Sequence, residues 1–287
     1  WWARWPWNTA NAWWARCKPT EPMTKTALIT GITGQDGAHL AVFIRENLAI
    51  QGNRIHAAFS NAVKRLLFLG SSCIYLKFAP QPLKEEYLLT GPLEPTKRAY
   101  TLARIAGVEM CWSYNRLYST RYLAAMPTNL YGPGDNYRPE NNHVIPALIR
   151  KFHEVEQIGA ASVTVLGSGK PRREFLYMDD MADACVFQMN LSDATFEGLL
   201  GSDETKTGRF EPPLVNIARG EDLTIKGLAE IVREVVGFTS AIVQDVGKLD
   251  GTQRKLLDIP RLGAIGWEPT TELRAGLAQA YASAVFG

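Results

Sequence analysis

Short apolar segments alternate with longer segments of helical periodicity along most of this chain of 287 residues. The apolar segments predict strands at 27–29, 65–69, 122–126 and 162–166. The periodic segments predict helices at 38–47, 55–62, 94–118, 144–156, 178–190 and 223–237. Segment 167–175 is predicted to be a basic loop, and Thr224 is a plausible N-cap for the last helix. Strands that alternate with helices favour a doubly wound parallel sheet, so the predicted fold class is α/β.

Three glycines occupy the turn between the first predicted strand and the first predicted helix. Their spacing is Gly-x-x-Gly-x-x-Gly, which lets the backbone approach a pyrophosphate at a helix N-terminus. Glycines at such a turn can also be purely structural, but the flanking strand and helix favour a nucleotide and a sheet of Rossmann type. The predicted cofactor contacts here are Gly31, Thr33, Gly34, Gln35, Asp36 and Gly37.

The composition excludes several classes of partner. A net charge of +2 is too small to indicate nucleic acid, and no apolar run is long enough to span a bilayer. The cysteines show neither metal-ligand spacing nor a disulfide framework; they are Cys17, Cys73, Cys111 and Cys185. We therefore expect a cytoplasmic protein with no metal, membrane or nucleic-acid partner.

The first 22 residues differ in composition from the rest of the chain. Six of the eight tryptophans lie in the first fourteen positions, interrupted by Pro6 and Asn8, which is unlike a signal peptide. Residues 1–22 are predicted to be an unstructured leader; the alternative is a tryptophan-rich patch for a membrane surface or a partner.

The rest of the chain is predicted to form two parts. We expect a shortened nucleotide-binding domain at 23–140. Residues 141–287 are expected to form mostly a smaller substrate lobe, with returns to the sheet.

A phenol, a hydroxyl and a cation are predicted to meet near the strand at 65–69. Ser71 and Cys73 follow this strand, and a later helix carries Tyr100 and Arg104 four residues apart on one face. A phenol beside a hydroxyl and a fixed positive charge can move a proton. An ordinary surface contact between tyrosine and arginine is the alternative, but the upstream glycine turn favours a redox or proton-moving enzyme.

Cys73 and His143 form a second candidate pair. A thiolate and an imidazolium on opposite sides of a sugar ring could remove and return protons alpha to a ketone. A lone histidine at the start of a helix is more often a cap or a surface residue, so spacing leaves both interpretations open.

Several basic residues could bind a substrate diphosphate. Any one of them could equally be a solvated surface charge. They are Lys151, Arg172, Arg173, Arg254 and Lys255.

Seven segments together resemble one enzyme family. They are 70–75, 94–96, 100–107, 126–136, 142–148, 173–175 and 250–258. From about residue 47 to the C-terminus the chain resembles the GDP-L-fucose synthases, which belong to the extended short-chain dehydrogenase/reductase group. Segment 27–37 is instead similar to the beginning of the GDP-mannose 4,6-dehydratases.

The resemblance implies a multifunctional enzyme that epimerises GDP-4-keto-6-deoxy-D-mannose at C3 and C5 and reduces it at C4 with NADPH to GDP-L-fucose. It implies that Cys73 is the base and His143 the acid of the epimerisation. It also implies that Tyr100 protonates the C4 oxygen while Ser71 holds that oxygen. Arg104 stands where the family has lysine. Relatives commonly pair through the helix that carries Tyr100, so a homodimer is expected.

The same resemblance implies further contacts with the cofactor NADP(H) and with the substrate. The implied cofactor contacts are Leu69, Gly70, Ser71, Ser72, Arg104, Pro127, Thr128, Asn129, Leu130 and His143. The implied substrate contacts are Lys151, Leu166, Arg173 and Asp250. Leu166 stands where the family has tryptophan.

The cofactor half is shorter than this fold needs. A βαβ unit takes roughly 30 residues or more, and between the glycine turn and the strand at 65–69 the strand that reads the adenosine ribose is absent. We therefore expect weakened NADPH binding and a partly exposed sheet edge.

Two alternative functions stay open. One is a dehydratase-like enzyme, against which the lack of acidic residues after Ser71 counts. The other is a catalytically impaired GDP-sugar-binding remnant or subunit.

Overall fold

The computed structural model describes residues 27–30, 40–139, 143–201, 211–247 and 250–284, with side chains from residue 47 onwards. The predicted leader and the glycine turn (Gly31, Thr33, Gly34, Gln35, Asp36 and Gly37) lie outside the described residues. The strands are β1 (Ala27–Thr30), β2 (Arg65–Leu69), β3 (Arg121–Pro127), β4 (Asn129–Tyr131), β5 (Ser162–Leu166), β6 (Arg172–Tyr177), β7 (Leu214–Ile217), β8 (Asp222–Thr224), β9 (Ala241–Asp245) and β10 (Arg254–Lys255). The helices are α1 (Leu40–Ser60), α2 (Arg98–Tyr118), α3 (Val144–Gln157), α4 (Met178–Asn190), α5 (Asp193–Gly198), α6 (Ile225–Val236), α7 (Pro260–Gly263) and α8 (Leu273–Ala282).

Strands β1, β2, β3 and β7 form a parallel sheet in that order. Alternate residues of β2 point to opposite faces: Phe68 packs with Ile105 of α2, whereas Leu67 packs with Met181 of α4. Both faces are covered, which explains why β2 and β3 are continuously apolar rather than alternating. The predicted α/β fold with a Rossmann-type parallel sheet is thereby confirmed. Within the described residues, no strand pairs with the outer edge of β1.

A second layer of structure contains the remaining strands. Strands β10, β6 and β4 pair in that order, β8 joins β6 in antiparallel orientation, and β5 pairs with β9. Helices α3, α6 and α8 contribute to one apolar cluster beside them. This arrangement agrees with a smaller C-terminal lobe, and β7 returns from that half to the main sheet. The boundary at residue 140 stays a prediction. No helix in the described part of the chain has the length and apolarity to cross a bilayer.

The first helix is longer than predicted. Two helices at 38–47 and 55–62 were expected, but α1 runs without a break from Leu40 to Ser60. Gly52 lies between the two predicted helices, and a glycine inside a helix costs about 1 kcal/mol relative to alanine. The packing of Ile55 and Ala58 against α2 offsets that cost, since both side chains are buried in the same cluster as Val108.

The segment 167–175, expected to be a basic loop, is partly a strand. Residues from Arg172 onwards belong to β6, which has β4, β8 and β10 as neighbours. The expectation was wrong because three charged residues in a row suggest solvent exposure. Here Arg172 pairs with the Asp222 carboxylate and the Glu174 carboxylate accepts hydrogen bonds from backbone amides. The predicted N-cap at Thr224 is confirmed, because its side chain accepts a hydrogen bond from the Gly227 amide.

Close contact between α2 and β2 depends on Gly107. A Cβ added there would collide with the ring of Phe68, which is fully buried. Gly107→Ala is expected to lower the free energy of unfolding by about 1–3 kcal/mol because overpacking exceeds the gain in helix propensity. Gly198→Ala is the matched control, because an added Cβ meets nothing within 4 Å at this helix end. Urea denaturation measures both, and an equal response of the two variants would contradict the explanation.

Candidate active site

Two side chains of α2 attach that helix to the end of β2. The Thr101 hydroxyl donates a hydrogen bond to the Cys73 carbonyl oxygen at 3.1 Å. One turn later, Arg104 Nη1 donates to the Leu69 carbonyl oxygen at 3.4 Å. Tyr100 precedes Thr101 directly and its ring lies under the Arg104 guanidinium, so the attachment holds the helix turn that carries the phenol next to the end of β2.

The turn after β2 fixes Ser71 and Cys73 relative to each other. Residues 72–74 form a single 3-10 turn, and the Ser71 side chain caps it by accepting a hydrogen bond from the Cys73 amide at 3.3 Å. Gly70 permits this path because a Cβ there would collide with the Met126 side chain. Burial raises the pKa of the Cys73 thiol, but the positive charges of Lys255 and Lys97 and the Ser71 hydrogen bond outweigh it and lower the pKa.

Arg104 is a buried cation with an unused donor. Its residue is 5% exposed, and its guanidinium carbon lies 5.0 Å from the centroid of the Tyr100 ring. Among the described residues its Nε has no hydrogen-bond acceptor. A buried donor without a partner is costly, and a ligand hydroxyl would satisfy it. The residues at this strand end therefore fit the ribose of a nicotinamide cofactor, which Ser71, Tyr100 and Arg104 would hold.

Further residues predicted to contact the cofactor lie at the ends of β2 and β3 and at the start of β4. Leu69, Gly70, Ser72, Pro127 and Thr128 are buried, and Asn129 and Leu130 are partly buried. The Thr128 hydroxyl and the Asn129 amide both donate to the Glu174 carbonyl oxygen, at 3.3 Å and 2.9 Å. These bonds connect the main sheet to β6 of the second lobe.

A cavity of about 300 Å³ brings together five of the predicted site residues. Its lining includes Asn129, His143, Leu166, Arg173 and Asp250. His143 is exposed at the N-terminus of α3, and Leu166 is 60% exposed. Lys151 lies on α3 but outside this lining. The structure therefore places His143 with the predicted substrate contacts, whereas its pairing with Cys73 stays a prediction.

Two hydrogen bonds from Ser168 orient the Asp250 carboxylate at the rim of this cavity. The carboxylate accepts hydrogen bonds from the Ser168 amide at 2.9 Å and the Ser168 hydroxyl at 2.6 Å. These bonds hold the pKa of Asp250 below its usual range. Gly167 has a φ of +82°, a left-handed conformation that favours glycine, and an added Cβ there would press against the Asp250 carboxylate.

The strand pairing divides four cations into two sets. Arg254 pairs in register with Arg172, and Lys255 pairs with Arg173. Successive residues of a strand point to opposite faces, so each pair shares a face. Arg172 and Arg254 both bind the carboxylate of Asp222, at 2.8 Å and 2.5 Å. Their charges are already paired, which disfavours them as ligands of a diphosphate, whereas Arg173 and Lys151 stay predicted substrate contacts.

Thr101, Glu174 and the contact of Lys255 with Cys73 were missed in the sequence. Thr101 could have been found, since it follows Tyr100 directly. Glu174 lies between charged and aromatic residues, and nothing in its local pattern signals burial. Its contacts come from distant segments: its carboxylate accepts hydrogen bonds from the Gly220 amide at 2.5 Å and the Leu257 amide at 3.0 Å. In the described part of the chain, no group of acidic, histidine and cysteine side chains could hold a metal ion.

The chain is similar in sequence and fold to known enzymes. Residues 41–198 match the model of the NAD dependent epimerase/dehydratase family. The chain is 49% identical to the putative GDP-L-fucose synthase 2 of Arabidopsis thaliana, over 92% of this chain and 75% of that protein. It is 48% identical to the GDP-L-fucose synthase of Escherichia coli K12, over 89% and 77%. Its fold matches a GDP-mannoheptose C4 reductase from Campylobacter jejuni with NADP bound at a TM-score of 0.76 and 34% identity, covering 89% of this chain and 81% of that one.

Glu174 makes the stability of the fold depend on pH. Burial raises its pKa to about 7, against a usual value of 4.5, despite the amide hydrogen bonds. Between these pH values the folded protein retains a proton that the unfolded chain has lost, so the free energy of unfolding falls as the pH rises. We expect a loss of up to about 3 kcal/mol across this interval.

Urea denaturation at a series of pH values measures this effect. The difference in unfolding free energy between Glu174→Gln and the wild type should change across the interval, because the variant cannot titrate. Glu268→Gln, at an exposed position, is the matched control and should follow the wild type. A difference for Glu174→Gln that stays constant with pH would refute the assignment.

Proposed function

The chain belongs to the NAD dependent epimerase/dehydratase family, and from that premise we propose that it catalyses the GDP-L-fucose synthase reaction. That reaction epimerises GDP-4-keto-6-deoxy-D-mannose at C3 and C5 and reduces C4 with NADPH. One observation carries the proposal: α2, which bears Tyr100, is attached to the end of β2 on both sides of Ser71, through Thr101 to the Cys73 carbonyl and through the buried Arg104 to the Leu69 carbonyl. Arg104 also lies over the Tyr100 ring. A thiol that can act as a base and a phenol beside a cation are the groups that the proposed epimerisation and reduction use.

Recognition of the GDP-sugar is assigned to the cavity beside β6. The Arg173 guanidinium, on the face of β6 opposite the Asp222 ion pairs, offers a fork of donors that suits a diphosphate. Asp250, held by Ser168, and Asn129 add hydrogen-bonding groups to the same lining. Lys151 on α3 is retained as a further substrate contact.

The epimerisation is assigned to Cys73 and His143. The thiolate of Cys73 takes the proton from the carbon alpha to the C4 ketone, and the C–H electron pair forms an enolate with that carbonyl. His143 then gives a proton to the opposite face of the carbon, which inverts its configuration. The lowered pKa of Cys73 supports the role of base because it increases the thiolate fraction at neutral pH.

The reduction is assigned to Tyr100, Ser71 and Arg104. When bound, NADPH supplies the hydride for C4. The Ser71 hydroxyl holds the C4 oxygen by a hydrogen bond, and Tyr100 gives its phenolic proton to that oxygen. The Arg104 guanidinium, 5.0 Å from the Tyr100 ring centroid, stabilises the phenolate that remains. Its unpaired Nε is available to a ribose hydroxyl.

A GDP-sugar-binding protein with little turnover is the second candidate. Two observations favour it: Arg104 replaces the lysine of the resembled family, and within the described residues β1 has no strand on its outer edge. A dehydratase remains disfavoured, because Ser72 and Cys73 rather than acidic residues follow Ser71.

The homodimer and the cytoplasmic location stay predictions. Exposed apolar side chains on the helix that carries Tyr100 support pairing through that helix: Leu102 is 43% exposed and Leu117 is 72% exposed. Sedimentation velocity would reveal a monomer if this proposal is wrong.

Two substitutions should separate the two chemical steps. Tyr100→Phe is expected to lower the reduction rate by about 10²–10⁴-fold, because the proton donor is lost, while deuterium from solvent still enters C3 and C5. Cys73→Ser should abolish that deuterium entry, because a hydroxyl is a far weaker base than a thiolate. NADPH oxidation and mass spectrometry of the GDP-sugar measure the two steps. GDP-sugar binding without either step in the wild type would refute the proposal in favour of the second candidate.

Arg104→Lys is expected to raise the turnover of reduction by about three- to tenfold, the value of one hydrogen bond gained in the transition state. The ammonium of lysine is compact and lacks the Nε donor that is unpaired in the Arg104 guanidinium. It also restores the lysine that the resembled family has at this position. NADPH oxidation with saturating 4-keto sugar measures the gain. Arg98→Lys, at an exposed position at the start of the same helix, is the control and should change nothing. Equal turnover in Arg104→Lys and the wild type would contradict the explanation.

A further inference from the structure

Lys255, on β10 of the second layer of strands, contacts the thiol of Cys73, which follows β2 of the main sheet. Its Nζ donates a hydrogen bond to Cys73 Sγ at 3.7 Å, across 182 positions of sequence. Both residues are partly buried. The contact joins the end of β2 to β10, so it connects the main sheet with the substrate lobe.

The backbones on both sides of this contact are fixed. At Cys73 the amide donates to Ser71 and the carbonyl accepts from Thr101. At Lys255 the strand pairs with Arg173 of β6, and the following amide, that of Leu256, donates to the Gln81 side chain at 2.9 Å. These backbone bonds fix the positions of both residues, in contrast to a lysine on a flexible surface loop.

The residues around Lys255 hold β10 in place. On one side the Arg254 guanidinium binds Asp222 at 2.5 Å. On the other side the Leu257 amide donates to the buried Glu174 carboxylate at 3.0 Å. These bonds determine which face of β10 Lys255 occupies, and that face is the one it shares with Arg173.

The charges around Lys255 leave Cys73 as its counter-ion. Within the described residues, Lys255 makes no ion pair with a carboxylate, and the other charged groups that face it, Lys97 and Arg173, are positive. Removing an ammonium from water without a counter-charge costs free energy. Burial lowers the pKa of Lys255, and the charge of Cys73 opposes that change. The thiolate of Cys73 is the anion that the geometry supplies.

We propose that Lys255 is a positioning residue for the Cys73 base, holding its sulfur in the anionic form and aiming it at the substrate. This inference rests on the proposed function for its catalytic meaning. It assigns Lys255 to the epimerisation rather than to the substrate diphosphate.

The ammonium keeps its own protons throughout the step. Sulfur gains the proton from the carbon alpha to the ketone, and the electron pair of the broken C–H bond moves into the enolate. The resulting neutral thiol loses that proton to solvent before the next turnover, and the charge of Lys255 favours this return to thiolate.

The alkylation of Cys73 by iodoacetamide tests the contact without substrate or cofactor. The rate is followed by peptide mass spectrometry over a series of pH values in the wild type, Lys255→Met, Lys255→Arg and Lys84→Met. Methionine keeps the length of lysine without its charge, arginine restores the charge, and Lys84 is exposed and serves as the control. The buried thiols of Cys111 and Cys185 report any unfolding, since faster alkylation there reveals it.

In Lys255→Met the alkylation profile should move to higher pH, and the rate at neutral pH should fall at least about threefold, because fewer thiolates outweigh their greater intrinsic reactivity. Lys255→Arg should retain most of the wild-type rate, and Lys84→Met all of it. A Lys255→Met profile that overlays the wild type would overturn the proposal. So would an equal shift in Lys84→Met.

Solvent deuterium exchange into the 4-keto sugar gives the second measurement. Lys255→Met should exchange at least about tenfold more slowly than the wild type, one decade of rate being about 1.4 kcal/mol in the barrier. Its affinity for GDP should equal that of the wild type. If Lys255 instead binds the substrate diphosphate, its replacement would lower the affinity for GDP, and that result would overturn the proposal. If the wild type neither exchanges nor reduces the sugar, the proposed function fails, and the alkylation profiles still decide whether Lys255 controls Cys73.

Discussion

The attachment of α2 to the end of β2 is the contact on which the candidate site depends. Thr101 and Arg104 bind carbonyl oxygens on either side of Ser71, and Gly107 allows the helix to approach Phe68 closely. These three contacts lie on successive turns of one helix face, so they determine both its rotation and its distance from the strand. A rotation of the helix by one residue would carry Tyr100 about 100° away from the strand end.

The same sheet shows why much of this structure could be predicted and some could not. β2 and β3 are apolar throughout because helices cover both their faces, so the sequence pattern indicates the parallel sheet directly. Ser71, Cys73 and Tyr100 could be predicted as site residues because their motifs are local, and their roles stay predictions. The continuity of α1 was missed, since the packing of Ile55 against α2 overrides a glycine. The contacts of Glu174 and Lys255 were missed because their partners lie far away in sequence.

Strand register explains how neighbouring cations have different roles. Arg172 and Arg254 share one face and neutralise the nearly buried Asp222 carboxylate, which secures β6 and β10 to β8. Arg173 and Lys255 share the other face, where one lines the cavity and the other contacts the thiol. Because a strand alternates its faces with every residue, two adjacent basic residues supply one structural charge and one charge for the site. Composition alone would assign all four to a single phosphate-binding patch.

The two proposed chemical steps depend on different parts of the fold. The thiol of Cys73 is fixed by Ser71, Thr101 and Lys255, none of which requires the sheet to extend beyond β1. The reduction depends in addition on a bound nicotinamide, and so on the cofactor lobe that lies beyond β2 on the β1 side. We therefore expect a shortened lobe to weaken hydride transfer first, because proton abstraction at the carbons beside the ketone would need only the substrate lobe and the end of β2. Under the proposed assignment, changes in the cofactor lobe would remove the reduction before the epimerisation.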